Sequence, residues 1–497
     1  MWAGKMKVLF DTNVFITLET PGVVLQETFS DMVRIARELH YDIFYHPAQI
    51  EDLMRDKDDV RRAAQLSRIK QYSALESPPF VLDEDLKVLG WRQNNDHDKV
   101  DNLLLFALKR GAVSFLVTED RDIHKKAHSS DLSDRVFFVE DFLAYLRNAK
   151  GSDCTPTIEY NQVECRYLYE IDVGNIFFDS LRRGYDRFNE WYRKCSEQDR
   201  QAWVIQSGNT IRALCVFKKE CDERVTSSGE ILYGKLLKLC TFKVADLGKK
   251  YGERLLFVAF NCAMESNLDY VYMQVREEGH GYLVSLLMDF GFKKLGKYNN
   301  DFTYVKDMRV GDRSGWDNRN DSVKYAIEHY PHVIDEGVKK YIVPIRPIYH
   351  DLLFPDKRIY CDLFQNDLSS EANAIKKAYL CQSPMKNLLP GDLLFFYRTS
   401  DAKSVYCVGV VEGVRRFSDA NELISFVSKR TVYTHEDMRA FISKGEVLAI
   451  LFRLIRYLKI PVRRKMLTEE GVGGQIQTIR AMPEHVYQQL FKKEVGV

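Results

Sequence analysis

Acidic side chains occur at several places in the first quarter of the chain where short apolar segments end or begin. These positions are Asp11, Glu51, Asp52, Asp101, Asp120 and Asp122. Four or more carboxylates at one place repel each other unless a hard cation neutralises them, and Mg²⁺ and Mn²⁺ prefer oxygen ligands. Two such ions about 4 Å apart can activate a water molecule and stabilise the leaving oxygen of a phosphodiester. The acidic pattern therefore predicts a metal site that hydrolyses phosphodiester bonds.

Alternating strands and helices could bring these acids together. We predict strands at Lys7–Phe10, Asp42–His46, Phe115–Thr118 and Arg135–Val139, and helices at Thr28–Leu39 and Asp101–Arg110. This alternation is typical of an α/β fold with helices on both faces of a parallel sheet. Such sheets place functional residues beyond the carboxyl ends of their strands. Asp11 ends the first strand, whereas Glu51, Asp52 and Asp101 are predicted to open helices. A single Asp at a strand end often serves only as a helix cap, so the prediction depends on the whole set.

Residues 6–146 resemble the PIN-domain family of nucleases in the order and spacing of these acids. The family's motif is matched by Asp11, Thr12 and Asn13 after the first strand, by Asp52 before Leu53 (with Glu51 fitting nearly as well), by Asp101 in a helix rich in Leu and Ala, and by Thr118, Asp120 and Asp122 after the third strand. The resemblance implies a PIN-like parallel sheet with flanking helices and a ribonuclease that uses Mg²⁺ or Mn²⁺. It implies catalytic roles for Asp11, Asp52, Asp101 and Asp120, metal binding by these four with Glu51 and Asp122, and assistance from Asn13 and Thr118.

The middle of the chain resembles the GNAT acetyltransferases, which have a mixed α/β fold. The resemblance rests on predicted strands at Lys235–Val244 and Tyr270–Val275, helices at Tyr251–Met264 and Tyr282–Phe290, and a hairpin formed by Ala202–Ser207 and Ile211–Lys218. In that family, backbone amides at a helix amino terminus hold the pyrophosphate of acetyl-CoA. The implied cofactor site comprises Val244, Gly248, Lys249, Lys250, Tyr251 and Gly252. The chain departs from the family's glycine-rich loop at Leu247 and Lys250, and Leu287 replaces a tyrosine that often acts as general acid.

Residues from about 340 onward resemble the PUA-like superfamily, including its ASCH and EVE branches, whose small β-barrels bind RNA or a modified base. The resemblance rests on three segments, Tyr341–Pro347, Leu389–Tyr397 and Val405–Glu412. Basic residues that could contact phosphate are Arg415, Arg416, Lys429, Arg430, Arg463, Arg464 and Lys465. Tyr397 and Tyr433 could stack on bases, whereas Phe396 is predicted to pack in the core.

Length and composition are those of an ordinary globular protein with several cores. The 497 residues correspond to about three domains at about 100–200 residues per domain. Hydrophobic residues make up 45% and charged residues 29% of the chain, which excludes disorder throughout. The net charge of +1 is unevenly distributed, because residues 1–150 carry a net −4 and residues 331–497 a net +6. An acidic metal site with a basic region elsewhere suits a nuclease that contacts phosphate through a separate domain, although chance variation along a long chain could give the same distribution.

Cysteine spacing and hydropathy indicate a reducing environment without a membrane. None of the ten cysteines forms a Cys-x-x-Cys pair, so the sequence suggests neither a zinc site nor a disulfide framework. No apolar run approaches the roughly 20 residues that cross a bilayer, and the first ten residues lack the apolar core of a secretory signal. We therefore expect a cytoplasmic protein.

Together these features predict an α/β multidomain protein with a PIN-like domain (1–150), a GNAT-like domain (155–308) and a PUA-like small β-barrel (338–497). The main functional hypothesis is a metal-dependent ribonuclease of the toxin or stress-response type that acts on structured RNA such as tRNA. One alternative is an acetyl-CoA-dependent N-acetyltransferase acting on RNA or protein, and another is a non-catalytic RNA-binding adaptor. The expected partners are RNA, a second copy of the PIN-like domain, and an inhibitor or antitoxin protein.

Overall fold

The chain forms two compact units. The structure is a computed structural model, and it describes residues 6–16, 23–55, 57–151, 163–208, 210–245, 250–277, 280–309, 316, 319–355 and 373–495. Unit 1 consists of Met1–Asp153 and Phe417–Val447, and unit 2 of Cys154–Arg416 and Leu448–Val497. A segment from late in the chain thus belongs with the first residues. The three predicted domain ranges stay a prediction.

The first sheet contains five parallel strands in the order β3-β2-β1-β4-β5. Its strands are β1 (Met6–Phe10), β2 (Tyr41–Tyr45), β3 (Ser73–Ala74), β4 (Phe115–Val117) and β5 (Val136–Phe137). Its helices are α1 (Thr12–Ile16), α2 (Val23–Glu38), α3 (Pro47–Leu53), α4 (Asp59–Ile69), α5 (Asp83–Leu89), α6 (Asp96–Lys109), α7 (Arg121–His128) and α8 (Val139–Lys150). The central strands β1 and β4 are almost entirely buried, as expected for strands covered on both faces. The predicted parallel sheet with flanking helices is confirmed.

The predicted starts of the two helices that carry acids of the site were wrong. Helix α6 begins at Asp96, because the Asn95 side chain accepts a hydrogen bond from the Asp98 backbone N–H and caps the helix. Asp101 therefore lies in the second turn rather than at the start. Helix α3 begins at Pro47, which fits the first helical position because proline has no N–H to leave unpaired. Glu51 and Asp52 consequently lie in its last turn.

The second sheet contains seven strands in the order β11-β12-β10-β9-β8-β7-β6. Its strands are β6 (Val163–Tyr167), β7 (Gln201–Ser207), β8 (Thr210–Arg224), β9 (Ile231–Val244), β10 (Tyr270–Val275), β11 (Lys293–Tyr298) and β12 (Asp301–Asp307). Its helices are α9 (Asp179–Gly184), α10 (Phe188–Glu197), α11 (Tyr251–Glu265) and α12 (Gly281–Asp289). The predicted hairpin is confirmed as the antiparallel pair β7 and β8. The pairing of β9 with β10 is parallel, so the sheet is mixed.

The third sheet contains six strands in the order β14-β17-β16-β15-β13-β18. Its strands are β13 (Lys340–Ile345), β14 (Lys376–Cys381), β15 (Leu393–Arg398), β16 (Ser404–Phe417), β17 (Val447–Arg463) and β18 (Arg480–Ala481). The remaining helices are α13 (Arg319–Glu328), α14 (Pro347–Leu353), α15 (Ala420–Val427), α16 (His435–Ser443), α17 (Arg464–Glu469), α18 (Glu484–Leu490) and α19 (Lys492–Val495). The three segments that carry the PUA-like resemblance, Tyr341–Pro347, Leu389–Tyr397 and Val405–Glu412, contribute to β13, β15 and β16. No pairing between the outer strands β14 and β18 closes the sheet in the residues described, so the PUA-like barrel stays a prediction.

Helices α15 and α16 connect β16 to β17 and pack within unit 1. The His435 imidazole lies 3.3 Å from the hydroxyls of both Tyr41 and Tyr145. The Arg430 guanidinium forms an ion pair of 2.6 Å with Asp134, and the Lys429 ammonium donates to the Val136 carbonyl at 3.2 Å.

These contacts correct one prediction. Lys429 and Arg430 were candidates for phosphate binding, but their cationic groups are already held by the chain. Tyr433 is also buried, so its ring is not exposed for stacking. This segment contributes to the packing of unit 1 instead.

None of the helices in the described ranges is both long enough and apolar enough to cross a bilayer. Eight cysteines lie in these ranges, and all of them carry free thiols.

Candidate functional site

The end of β1 places Asp11 in a buried network of hydrogen bonds. The Thr12 backbone N–H donates to one carboxylate oxygen at 2.6 Å. The Thr118 hydroxyl and the Asn13 side-chain amide donate to the other oxygen, at 2.6 Å and 2.8 Å. Because β1 and β4 pair with Phe10 opposite Val117, the two strand ends bring these residues together. The sequence predicted both Thr118 and Asn13 as assisting residues, and the geometry holds them against Asp11.

Burial and neighbouring acids make Asp11 costly to ionise. Burial raises the pKa of this carboxyl to about 6, the hydrogen bonds from Thr118 and Thr12 oppose the rise, and the charges of Asp120 and Asp52 add to it. No cationic side chain among the described residues pairs with Asp11. Among the described residues, only hydrogen bonds stabilise its ionised form.

Asp101 is the second perturbed carboxylate of the site. Burial raises its pKa to about 7, and repulsion from Asp120 and Asp11 adds to the rise, whereas Lys126 opposes it. The Lys126 ammonium lies 3.7 Å from Asp101 and 3.3 Å from Asp98, so one cation is shared between two acids. Asp120 thus raises the pKa of both Asp11 and Asp101, and Asp11 also raises that of Asp101. The acids that the sequence set apart are thus electrostatic neighbours.

The remaining acids have less buried surroundings. The Asp52 carboxylate lies 3.0 Å from the His97 imidazole and 3.2 Å from the Arg55 guanidinium. Glu51 is exposed. Asp52 is therefore the better candidate of the two by burial and by its electrostatic effect on Asp11.

Asp120 and Asp122 belong to the start of α7. The Asp120 side chain caps this helix by accepting hydrogen bonds from the backbone N–H groups of Asp122 and Ile123, and its own N–H donates to the Thr118 hydroxyl. Asp122 is exposed and pairs with Lys125 at 2.8 Å. Asp120 thus combines a capping role with repulsion of Asp11 and Asp101, whereas Asp122 points to the solvent side of the cluster.

The donor chemistry of this cluster fits a hard divalent cation. All of the perturbed groups are carboxylates, and their mutual repulsion is the kind of charge that Mg²⁺ or Mn²⁺ neutralises. As placed, however, no three acidic, histidine or cysteine side chains in the described residues lie close enough together to hold one ion. The type of ligand and the charge of the cluster therefore suit a divalent cation, whereas the side chains are not positioned around one.

Gln49 is a residue of this edge that sequence reasoning missed. Its fully buried side-chain amide donates to the Phe10 carbonyl at 3.0 Å and to the Thr12 hydroxyl at 3.1 Å, and accepts from the His46 N–H at 2.6 Å. Its hydrogen bonds thus connect the end of β1 to the end of β2, next to Asp11. The signal that could have found it is a glutamine three residues after a helix cap, which is the capping-box position.

Unit 2 contains a cavity where two parallel strands separate. Pairing between β9 and β10 stops at Leu239 and Met273, although both strands continue. Beyond that point Phe242 and Val275 line a cavity of about 640 Å³ together with side chains of α9 and α10. The open carboxyl ends of parallel strands are a common place for a ligand.

The predicted acetyl-CoA residues lie at the start of α11, as far as they are described. Gly248 and Lys249 lie outside the described residues. Lys250 has a left-handed backbone with a φ of 52° and precedes the helix. Tyr251 and Gly252 are buried, and a Cβ at Gly252 would lie 2.8 Å from Leu286, so glycine permits close packing there. Val244 ends β9 at the same edge.

The predicted RNA contacts divide into exposed and buried residues. Arg415, Arg463 and Lys465 are exposed. Arg416 is half-buried and donates to the carbonyls of Ser383 and Met385, and Arg464 donates to the Gly474 carbonyl.

The two aromatic candidates of β15 are both buried. Tyr397 is 5% exposed, so the structure does not support its role in base stacking, and Phe396 packs in the core as predicted. The reason is that all six residues of β15 are buried, so neither face of the strand is exposed to solvent.

Comparison with known proteins gives partial matches in structure alone. No family model matches the chain, and no curated protein matches it. Similar solved structures include ASCH from Zymomonas mobilis, with 16% identity, 30% of this chain and 92% of that chain covered, and a TM-score of 0.24. They also include a PaiA N-acetyltransferase from Thermoplasma acidophilum with coenzyme A (15% identity, 29% and 99% covered, TM-score 0.22). A variant of the toxin AtaT bound to the carboxy terminus of its antitoxin AtaR matches at 14% identity, 30% and 92% coverage and a TM-score of 0.21. The PIN resemblance gains no support from these comparisons and stays a prediction.

Proposed function

We propose that unit 1 is a metal-dependent ribonuclease centred on Asp11 and Asp101. The observation that carries this proposal is that burial raises the pKa of two poorly exposed carboxylates, Asp11 and Asp101, and that the charges of Asp120 and Asp11 add to the rise at Asp101. Repulsion between carboxylates lowers the folding stability of the unit. Acids with strongly perturbed pKa values are therefore found mainly where binding or catalysis requires them. Hydrolysis of RNA is the reaction that we assign to this site.

The residues have distinct roles in this proposal. The ligands would come from Asp11, Asp52 (or Glu51), Asp101 and Asp120, with Asp122 at the exposed side. A bound Mg²⁺ or Mn²⁺ would supply water activation and neutralise charge at the phosphodiester. Thr118 and Asn13 hold the Asp11 oxygens in place, and Gln49 holds the strand end that carries Asp11. Structured RNA, tRNA above all, is the proposed substrate, in the manner of a toxin or stress-response nuclease.

The test is cleavage of total RNA by the full chain with Mn²⁺, compared with Asp11→Asn and Asp131→Asn. Asp131 is the matched control, since it is exposed in unit 1 and its left-handed backbone, with a φ of 57°, also suits asparagine. We expect metal-dependent cleavage by the wild type and the control and none by Asp11→Asn. Equal cleavage by all three proteins would refute the role of Asp11. RNA that is bound but left uncut, with several metals and with tRNA present, would favour an adaptor.

Acyl transfer from acetyl-CoA is a second candidate, located in unit 2. It is favoured by the separation of β9 from β10, which opens a cavity of about 640 Å³. A slot between two strands can admit an extended acyl chain, and the amino terminus of a helix favours phosphate. The absence of a tyrosine at Leu287 leaves the general acid of this candidate unassigned.

Calorimetric titration with acetyl-CoA tests the second candidate separately. Wild type and Asp11→Asn should bind acetyl-CoA equally, since Asp11 belongs to the other unit. A protein that binds acetyl-CoA and never cleaves RNA would make acyl transfer the main function. A protein that cleaves RNA without binding acetyl-CoA would remove the second candidate.

A further inference from the structure

The cavity of unit 2 has a positively charged floor on its α10 side. Cys240, on β9, packs against the apolar cluster that includes Tyr192 and Cys195 of α10. The face of the sheet that carries the Cys240 side chain is therefore the face that packs against α10. The Arg200 guanidinium lies 3.7 Å from the Cys240 sulfur. Lys238 is two residues before Cys240 on the same strand, and both residues line the cavity.

Arg200 and Lys238 lack an acidic partner. Within the described part of the chain, Arg200 contacts the Gln198 side-chain oxygen and the Cys240 sulfur, and the Lys238 ammonium lies 5.4 Å above the Tyr272 ring. No carboxylate there pairs with either cation. Both side chains are half-buried and line the cavity. Two partly desolvated cations without a counterion favour an anionic ligand.

The other charges of the cavity are largely neutralised. The Glu220 carboxylate pairs with Lys218 at 2.7 Å and accepts the Tyr272 hydroxyl. Asp301 lies 3.6 Å from Arg276. Asp186 is exposed at the rim, where water and salt screen its charge. The excess positive charge therefore remains at Arg200 and Lys238.

Aromatic side chains form a second wall. Tyr185, Phe188 and Trp191 line the cavity from α10 and the turn before it. Flat aromatic faces bind planar rings by stacking, and nucleobases stack on such residues at about 1–3 kcal/mol per base. A ligand that satisfies both walls combines a planar ring with an anion.

We infer that this cavity binds a phosphorylated nucleoside, with its phosphate at Arg200 and Lys238 and its base against Trp191 or a neighbouring ring. The two negative charges of a phosphate monoester match the two cations without counterions. A volume of about 640 Å³ lies within the range of small-ligand sites, about 300–1,000 Å³. The site is separate from the acids of unit 1 and lies in the same cavity that the second candidate function assigns to an acyl chain, but nucleotide binding does not require acyl transfer.

Titration calorimetry on the full chain tests this inference, with AMP, adenosine and inorganic phosphate as probes. AMP should bind more tightly than either fragment, because each fragment satisfies one wall only. Lys238→Met and Arg200→Met should each weaken AMP binding by roughly ten- to a hundredfold, the usual effect of losing a charge-assisted contact. Lys235→Met is the matched control. Lys235 lies on β9 as an exposed lysine outside the cavity, and its loss should leave AMP binding unchanged.

Coenzyme A also contains an adenine nucleotide, so the titration is repeated with saturating coenzyme A. AMP binding that persists there and weakens in Lys238→Met supports the inference. Displacement of AMP by coenzyme A, together with AMP affinity unchanged in Lys238→Met, would assign AMP to the cofactor site and overturn the inference while leaving acyl transfer in place. Adenosine binding as tightly as AMP, or AMP affinity unchanged in both cavity variants, would also overturn it. Circular dichroism melting curves verify that each variant is folded.

Discussion

Replacing Asp101 with asparagine should stabilise unit 1 when no metal is present. The carboxyl is buried beside other acids, and its pKa rises from 3.8 to about 7. An acid whose pKa is higher in the folded state binds its proton more tightly there, so folding stability falls as pH rises from 3.8 to about 7. Asparagine has the same shape and no charge to desolvate. The gain should therefore be absent below pH 3.8 and complete above pH 7.

The size of this gain follows from the shift. About three pKa units at 1.36 kcal/mol each give roughly 4 kcal/mol at pH 8. Some of this is offset, because Lys126 loses a partner at 3.7 Å but keeps Asp98 at 3.3 Å. We expect a net gain of about 2–4 kcal/mol, which corresponds to roughly 5–10 °C in Tm for a unit of this size.

Differential scanning calorimetry of the full chain in EDTA at pH 8 and pH 5 measures this effect. Manganese should raise one transition of the wild type, which identifies unit 1, and should raise the same transition of Asp101→Asn much less. Asp122→Asn, an exposed change in the same cluster, should shift the transition little in EDTA. If the Asp101→Asn protein melts at or below the wild-type temperature at pH 8, the charge of Asp101 does not destabilise the folded state. The electrostatic argument for the site would then fail.

Three further substitutions probe the support of the site. Thr118→Val removes a hydrogen bond that lowers the pKa of Asp11, so the acid limb of the pH–rate profile for RNA cleavage should move to higher pH; an unmoved limb would contradict this. Gln49→Leu leaves buried backbone groups unpaired, which should lower unfolding stability by about 1–3 kcal/mol and reduce cleavage; chemical denaturation at unchanged midpoint would count against it. Arg430→Met should cost about 1.5–3 kcal/mol by removing the ion pair with Asp134, whereas Lys444→Met, at the exposed residue that follows α16, should cost little in the same denaturation series.

Local patterns predicted the elements of the active edge well. Strands covered on both faces must be apolar throughout, and the short apolar segments before Asp11 and Asp120 are of this kind. Their alternation with helices was sufficient to predict a parallel sheet. The helix starts at Asp96 and Pro47 were missed even though Asn95 and His46 are local caps, because the acids were matched to a motif rather than to the nearest cap.

The sequence by itself thus determined which residues end the strands of unit 1, since chain order and apolar runs are local properties. Only the tertiary structure decided that α15 and α16, almost 300 residues after β5, pack within that unit, because contacts at such separation leave no local signal. It also decided that Tyr397 is buried on a strand whose two faces are both covered. The cavity with Arg200 and Lys238 arises where β9 and β10 stop pairing. Where two strands separate depends on what packs against each of them, and no stretch of sequence contains that information alone.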